Sequence, residues 1–471
     1  VLKYLSSAKV KAMRKNLLLA TVPLMLFACG EQAAPKVEAP PLPSETPLER
    51  GKLLESVAVA GTNGESYAAY VPSSGESLPL LLLFDSHARG AGTLEKYQEL
   101  AEQEKVIVVV SNTSKNGLDA NTALAIGKRM MDAALARTPA NRQVVWAGGF
   151  SGGARVASQF ALAHQEVNGV IGIGAGYDPG AAQGRDLDFF GIVGLKDFNF
   201  REMLTVDSLR EAQGQQGFLL LTEGGHEWPA SEVMHQALDW QRLESLRDGH
   251  LSKEAFGSDK PFSKWVEWQQ DHPSSSLLAK SNTLRFLIST YEHKSDAIPL
   301  LRQELASLEG STPFVQAQDS RRNAIAFEVE QVARFEKKWN GLGGGLTLEE
   351  VTSLKRNARE ESELGYAHQR FLNYLSLVYY TQASSALKEG ALQAANHFLT
   401  MYATVDPPNC EHAYLRAHYW MKNGQEENAL AALEQAVSLG FEDSDRLAAD
   451  PVLKGLQPQP RFQAILQSIK K

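Results

Sequence analysis

The chain has 471 residues, 47 lysines and arginines against 55 aspartates and glutamates, 43% hydrophobic content and two cysteines. That length exceeds one ordinary compact domain, and a net charge of −8 excludes the basic face that a nucleic-acid binder needs. Two cysteines exclude a disulfide-stapled scaffold, so function has to be read from local patterns in an otherwise globular composition.

Near the start, Arg14 and Lys15 come after Met13 and precede an apolar stretch of 11 residues, Leu17 to Phe27. Such a stretch is too short to span a bilayer as a lone helix and has the length of a signal-peptide core. Leu26, Phe27, Ala28 and Cys29 resemble the bacterial lipobox, whose cysteine is lipidated and becomes the mature N-terminus. The resemblance implies a lipid-anchored protein of the cell envelope, with residues 1–28 as leader (its start over-long) and Cys29 as the lipidation site. Gly30 in place of an aspartate implies the outer membrane. The competing reading, a short buried helix with Cys29 as a core thiol, fits poorly with the proline-rich run beyond it. Pro35, Pro40, Pro41, Pro43 and Pro47 make residues 29–52 an extended stalk that cannot build a core. Without the leader, 42 basic residues face the same 55 acids, so the body is more acidic than the whole chain.

Residues 53–250 alternate strands and helices. Leu54 to Ala60 and Ser66 to Val71 flank Thr62-Asn63-Gly64, a hairpin signal. Leu78 to Phe84 is a nearly continuous apolar run, as a strand buried on both faces requires. The spacing then predicts a helix over Thr93 to Gln103, a strand over Val106 to Ser111 and a helix over Asn121 to Leu135. Next come a strand at Val144 to Gly148, a helix from Gly153 to His164 and strands at Val170 to Gly174, Asp188 to Val193 and Gly217 to Thr222. Ser231 to Leu246 closes the series as a helix. The pattern predicts a mostly parallel α/β sheet covered on both sides.

One constellation in that frame carries chemistry. Gly149-Phe150-Ser151-Gly152-Gly153 fits G-x-S-x-G between a predicted strand and a predicted helix, the setting in which a sharp turn lifts a serine hydroxyl above the sheet. The plainer alternative is a glycine-rich turn in which Ser151 caps the helix. A serine nucleophile needs a base and the base an orienting acid. Asp197 and His226 each come just after a predicted strand, at the edge where open α/β sheets place their sites. The order Ser, Asp, His is that of α/β-hydrolases.

On these residues the chain resembles the α/β-hydrolase superfamily, near the esterase branch of polyhydroxybutyrate depolymerases and feruloyl esterases. Gly224-Gly225-His226-Glu227-Trp228-Pro229 is similar to that branch's signature around its catalytic histidine. The resemblance implies Ser151 as nucleophile, His226 as base then acid, Asp197 as orienting acid and an acyl-enzyme resolved by water. Asp178, which also comes after a strand, is the rival acid. It further implies an oxyanion hole from the N–H of Gly152 and one donor in the loop Asp85-Ser86-His87-Ala88-Arg89-Gly90. There Ala88 stands where relatives have glycine, leaving Ala88 or Arg89 as the second donor. His87, Arg89 and Trp228 are the substrate-binding candidates, with Arg89 suited to an acidic group or to solvent. No inserted lid is evident between Gly153 and Asp197, which suits bulky ester substrates.

From 251 to 471 strand signals almost vanish. Helical patterns run through Phe262 to Gln270, Ser276 to Tyr291, Ala297 to Leu308, Asn323 to Trp339, Leu348 to Arg359 and Glu363 to Leu387. Over 390–471, Ala417, Gly424, Ala429, Leu433 and Ala436 fall where the 34-residue tetratricopeptide pattern wants small or apolar residues, and Ala395 precedes Ala429 by 34. A generic helical bundle is the alternative. Gly341 to Gly345 is a glycine break without the lysine of a phosphate loop. No metal pattern and no cofactor motif occurs, and Cys410 is expected as a buried structural thiol. Two functional readings result: a membrane-anchored serine esterase, or a binding lipoprotein whose repeats hold a protein partner while the hydrolase half is degenerate.

Overall fold

The computed structural model describes residues 46–178, 180, 187–251, 276–292, 296–339 and 345–469. The leader, Cys29, most of the stalk, the expected helix over Phe262 to Gln270 and Gly341 to Gly344 lie outside these residues.

Eight strands form one sheet: β1 (Leu53–Ala58), β2 (Ser66–Tyr70), β3 (Leu78–Phe84), β4 (Ile107–Ser111), β5 (Ala140–Phe150), β6 (Gly169–Ile173), β7 (Asp188–Gly194) and β8 (Gly217–Thr222). Their order is β1-β2-β4-β3-β5-β6-β7-β8. The β1–β2 and β2–β4 pairs are antiparallel and every later pair is parallel. This is a mostly parallel α/β sheet, with a helix-rich region after it.

All seven residues of β3 are buried. Leu80, Leu82 and Phe84 enter one apolar cluster and Leu81 and Leu83 the other, as the pleat demands of a strand covered on both faces. Helices α1 (Gly90–Glu104) and α5 (Ser231–Arg247) cover the second face through Leu94, Tyr97, Val233 and Trp240. Helices α2 (Ala120–Arg137), α3 (Gly152–Ala163) and α4 (Phe200–Gln213) cover the first through Met130, Phe160, Phe200 and Met203.

Helix α4 has no clear signal in the sequence. Its buried face is Phe200, Met203, Val206 and Arg210, whereas Leu209 is 44% exposed. A charged residue takes a core position and a leucine faces out, so the apolar period is broken. The buried Arg210 is accommodated over the Phe189 ring, 5.6 Å from its centroid.

The C-terminal helices are α6 (Leu277–Tyr291), α7 (Ile298–Glu309), α8 (Thr312–Lys338), α9 (Leu348–Asn357), α10 (Glu363–Glu389), α11 (Leu392–Val405), α12 (Cys410–Lys422), α13 (Glu426–Ser438), α14 (Ser444–Ala449) and α15 (Pro460–Ile469). Ala395 and Ala429 are both fully buried, on α11 and α13. Cys410, expected in the core, is only half-buried, because it opens α12 at the helix's first turn. Residues Thr46–Lys471 form a single compact unit. Leu284, Phe286 and Leu287 of α6 share the second core cluster with Phe190 and Trp240, so the sheet's apolar core continues into this helix. Asn282 of α6 also serves the sheet's edge. Its Nδ2 donates to the carbonyl of Leu219 (2.8 Å), and its Oδ1 accepts from the N–H of Leu221 (2.9 Å). Among the described residues no helix is long and apolar enough to cross a membrane.

Candidate active site

Ser151 sits between β5 and α3 at φ +56°, ψ −119°, a conformation strained for any residue with a Cβ. The glycines around it make the turn possible. A Cβ on Gly153 would lie 1.9 Å from the carbonyl oxygen of Phe84, at the end of β3. One on Gly149 would lie 2.5 Å from the Gly153 carbonyl. The Ser151 N–H donates to the carbonyl of Ile173 (2.8 Å), which ties the turn to β6. Its side chain makes no capping bond, so the plain helix-cap reading fails. Gly153→Ala is expected to cost about 1–3 kcal/mol, the range for overpacking a tight site. Chemical denaturation checks this, and the displaced serine should also react more slowly with a phosphonate probe.

The serine hydroxyl lies 2.9 Å from Nε2 of His226, and Nδ1 of the same ring lies 2.9 Å from each carboxylate oxygen of Asp197. Rings of Phe150 and Phe198 flank the imidazole with centroids at 4.6 and 4.2 Å, fixing its plane. Asp197 is 1% exposed, and its Oδ1 also accepts from the N–H of Asn199 (2.7 Å). Burial raises the pKa of this carboxyl, against the pull of His226 and the Asn199 N–H. Asp178, the rival, is exposed and bonds the N–H of Gly180 at 2.9 Å. The acid brought to His226 is therefore Asp197.

The loop after β3 is organised by Asp85, which carries no signal of this role in the sequence. Its buried carboxylate accepts from the N–H groups of His87 (2.8 Å) and Arg89 (3.3 Å), from Nε and Nη2 of Arg89 (3.1 and 3.0 Å) and from Nε1 of Trp228 (3.0 Å). Burial alone would raise its pKa, but the Arg89 guanidinium and the Trp228 N–H outweigh it and hold the carboxyl below its usual range.

This arrangement bears on two expectations. Two donors of Arg89 are spent on Asp85, so its first task is to shape the loop. The N–H of Ala88 donates to the carbonyl of Asp85 (3.2 Å) and that of Arg89 to the Asp85 carboxylate (3.3 Å), so both are engaged within the loop. Ala88 instead absorbs a positive φ of 58°, a conformation that glycine adopts at lower cost. The Asn116 carboxamide lies against Gly152, where a Cβ would meet its Oδ1, an acceptor, at 1.9 Å. Asn116 carries no motif. Its loop is joined to that of Asp85 by its own N–H, which donates to the carbonyl of Ser86 (2.9 Å). Desolvation within the loop and the charge of Arg89 lower the His87 pKa, and the charges of Glu411 and Arg446 reach it from the C-terminal helices.

No family model and no curated protein matches the chain. Solved structures similar to it include S-formylglutathione hydrolase from Staphylococcus aureus, 14% identical over 42% of this chain and 99% of that one, with a TM-score of 0.34. Est1E from Butyrivibrio proteoclasticus is 13% identical over 41% and 100%, with a TM-score of 0.33. An esterase from Pyrobaculum calidifontis is 15% identical over 44% and 85%, with a TM-score of 0.31. At such scores the strand order of the sheet itself, not the likeness, identifies the fold.

A cavity of about 650 Å³ lies beneath the His226 loop, walled by Asp197, Leu221, Trp228, Val233, Gln236 and Ala279 among others. Trp228, a substrate-binding candidate, thus divides this cavity from the Asp85 loop. Elsewhere Glu104, His235 and Asp239 bring their ligand atoms within 4.8 Å of one another. The Arg242 guanidinium already bonds Glu104 there, and His235 Nε2 lies 2.8 Å from it, so the cluster is an ion-pair network. Burial would raise the Glu104 pKa, but the bond from His235 and the charge of Arg242 pull it from the usual 4.5 down to about 2. The stability it contributes is therefore complete above about pH 4.5 and lost as the pH falls toward 2. Urea midpoints measured from about pH 5 to about pH 3 should fall less steeply in Glu104→Gln than in the parent.

Proposed function

We propose that the protein is a serine hydrolase of carboxylic esters, and that Ser151, His226 and Asp197 are its catalytic triad. The observation that carries this reading is the unbroken hydrogen-bonded series from the Ser151 hydroxyl through both nitrogens of His226 to Asp197, all at 2.9 Å. In this reading His226 Nε2 takes the hydroxyl proton as Ser151 Oγ attacks the ester carbonyl. The tetrahedral oxyanion forms at the N-terminus of α3, where the Gly152 N–H has no partner within its own helix and the helix dipole favours negative charge. Collapse expels the alcohol with the proton from His226, leaving an acyl-enzyme, and water then enters with His226 as base again.

The buried Asp197 carboxylate holds the Nδ1–H tautomer throughout. The lipobox-like residues ending at Cys29 support a lipid-anchored place at the cell envelope, and the pattern over 390–471 supports tetratricopeptide-like repeats in the last helices. A fluorophosphonate probe tests the central claim. The parent protein is expected to be labelled and to hydrolyse short p-nitrophenyl esters, and Ser151→Ala to do neither. An unlabelled, folded parent would sink the proposal and favour a binding role for the helical region.

A further inference from the structure

The turn that carries Asp197 is held from two sides. On one side its backbone N–H groups meet the histidine strand and loop: Leu195 donates to the carbonyl of Thr222 (2.8 Å) and Lys196 to that of Gly224 (3.1 Å). The two carbonyls of the same residues point the other way, into the C-terminal helices. Arg370 Nη1 donates to the carbonyl of Leu195 (2.7 Å), and Asn373 Nδ2 to that of Lys196 (3.0 Å). Both donors lie on α10, three residues apart and so on one helix face.

Arg370 is itself immobilised. Its side chain is 0% exposed, its Nε bonds Glu328 of α8 at 2.6 Å, and its guanidinium lies over the Phe200 ring at 4.7 Å. Glu328 also accepts from Nε of Arg201 (2.7 Å), so the segment is gripped again just beyond Asp197. The Lys196 ammonium lies 5.7 Å from the Tyr366 ring centroid, also on α10.

We infer that α8 and α10 are part of the catalytic apparatus, with Arg370 and Asn373 as positioning residues that fix the Asp197 turn and, through it, the His226 ring. This rests on the serine-hydrolase reading. The grip matters because both oxygens of Asp197 sit at 2.9 Å from Nδ1, a placement that a shift of the turn by an ångström would destroy. Displacements of that size cost up to about 100-fold in rate. A generic domain contact would spread over side chains, whereas these two bonds end on the backbone one and two residues before the acid.

The full-length chain tests this with Asn373→Ala, whose half-buried site spares the core, and with Arg370→Lys, which keeps the charge beside Glu328 but loses the fork. Each variant is first checked for parental melting behaviour. Asn373→Ala is expected to lower kcat for a p-nitrophenyl ester about tenfold with KM within about twofold, and Arg370→Lys to lower it at least as much. In an Asp197→Ala background, Asn373→Ala should add nothing, because the residue it positions is gone. Folded variants with parental kcat, or an equal loss in both backgrounds, would overturn the clamp alone. A parent that takes no phosphonate label would overturn the hydrolase reading and the clamp with it.

Discussion

Asp197→Asn is expected to lower kcat/KM by about 10⁴-fold while leaving the fold in place. The carboxylate accepts the Nδ1–H of His226 with both oxygens at 2.9 Å and the Asn199 N–H at 2.7 Å. A carboxamide keeps the volume and can keep one acceptor toward Asn199. It also turns an N–H toward Nδ1, which forces the proton of the neutral ring onto Nε2, the nitrogen that must receive it from Ser151. The nucleophile then faces a donor instead of a base. Phosphonate labelling rates read this directly. A loss below about tenfold would mean that His226 takes its orientation from Phe150 and Phe198 alone.

Glu328→Ala should produce the largest change in stability, a loss of about 3–5 kcal/mol. Glu328 is 3% exposed and pairs with Arg370, which is fully buried, and with Arg201. Removing the carboxylate leaves the buried Arg370 guanidinium hydrogen-bonded only to the Leu195 carbonyl, over the Phe200 ring and with the charge of Glu363, itself paired with Arg321, as its remaining counterion. The contrast is Arg285→Ala, whose partner Glu309 meets it at 2.8 Å on the surface with Arg285 59% exposed. That change should cost less than about 1 kcal/mol. Urea denaturation of the two variants side by side measures the difference, and equal losses would contradict the assigned burial.

The parts of the fold that were legible in the sequence are those whose signal is local. Leu78–Phe84 reads as a doubly buried strand because nothing polar interrupts it, and the turn at Ser151 reads as a sharp strand-to-helix turn because the glycines that permit its backbone stand beside it. Strand β5 proved longer at its start than expected, since Asn141, Arg142 and Gln143 extend it beyond the sheet's apolar heart. Helix α4 was missed because Arg210 occupies a core position.

The remaining gaps are tertiary. Asp85 is a lone acid in sequence and a five-bonded hub in space, and one of its donors, Trp228, lies 143 residues away. Arg370 lies 175 residues from the carbonyl it holds. No periodicity or motif window reaches so far, and a buried arginine on a helix reads as a solvated one until its partners are seen.

The bonds from Asn282 to Leu219 and Leu221 give β8 something an outermost strand ordinarily lacks. A side-chain amide, with one donor and one acceptor set as a peptide group sets them, satisfies the strand where a ninth strand would otherwise dock. The sheet is thereby closed to a neighbour's backbone at that margin. An unpaired edge strand is where another chain's backbone would dock, and the Asn282 amide occupies that position beside Leu219 and Leu221.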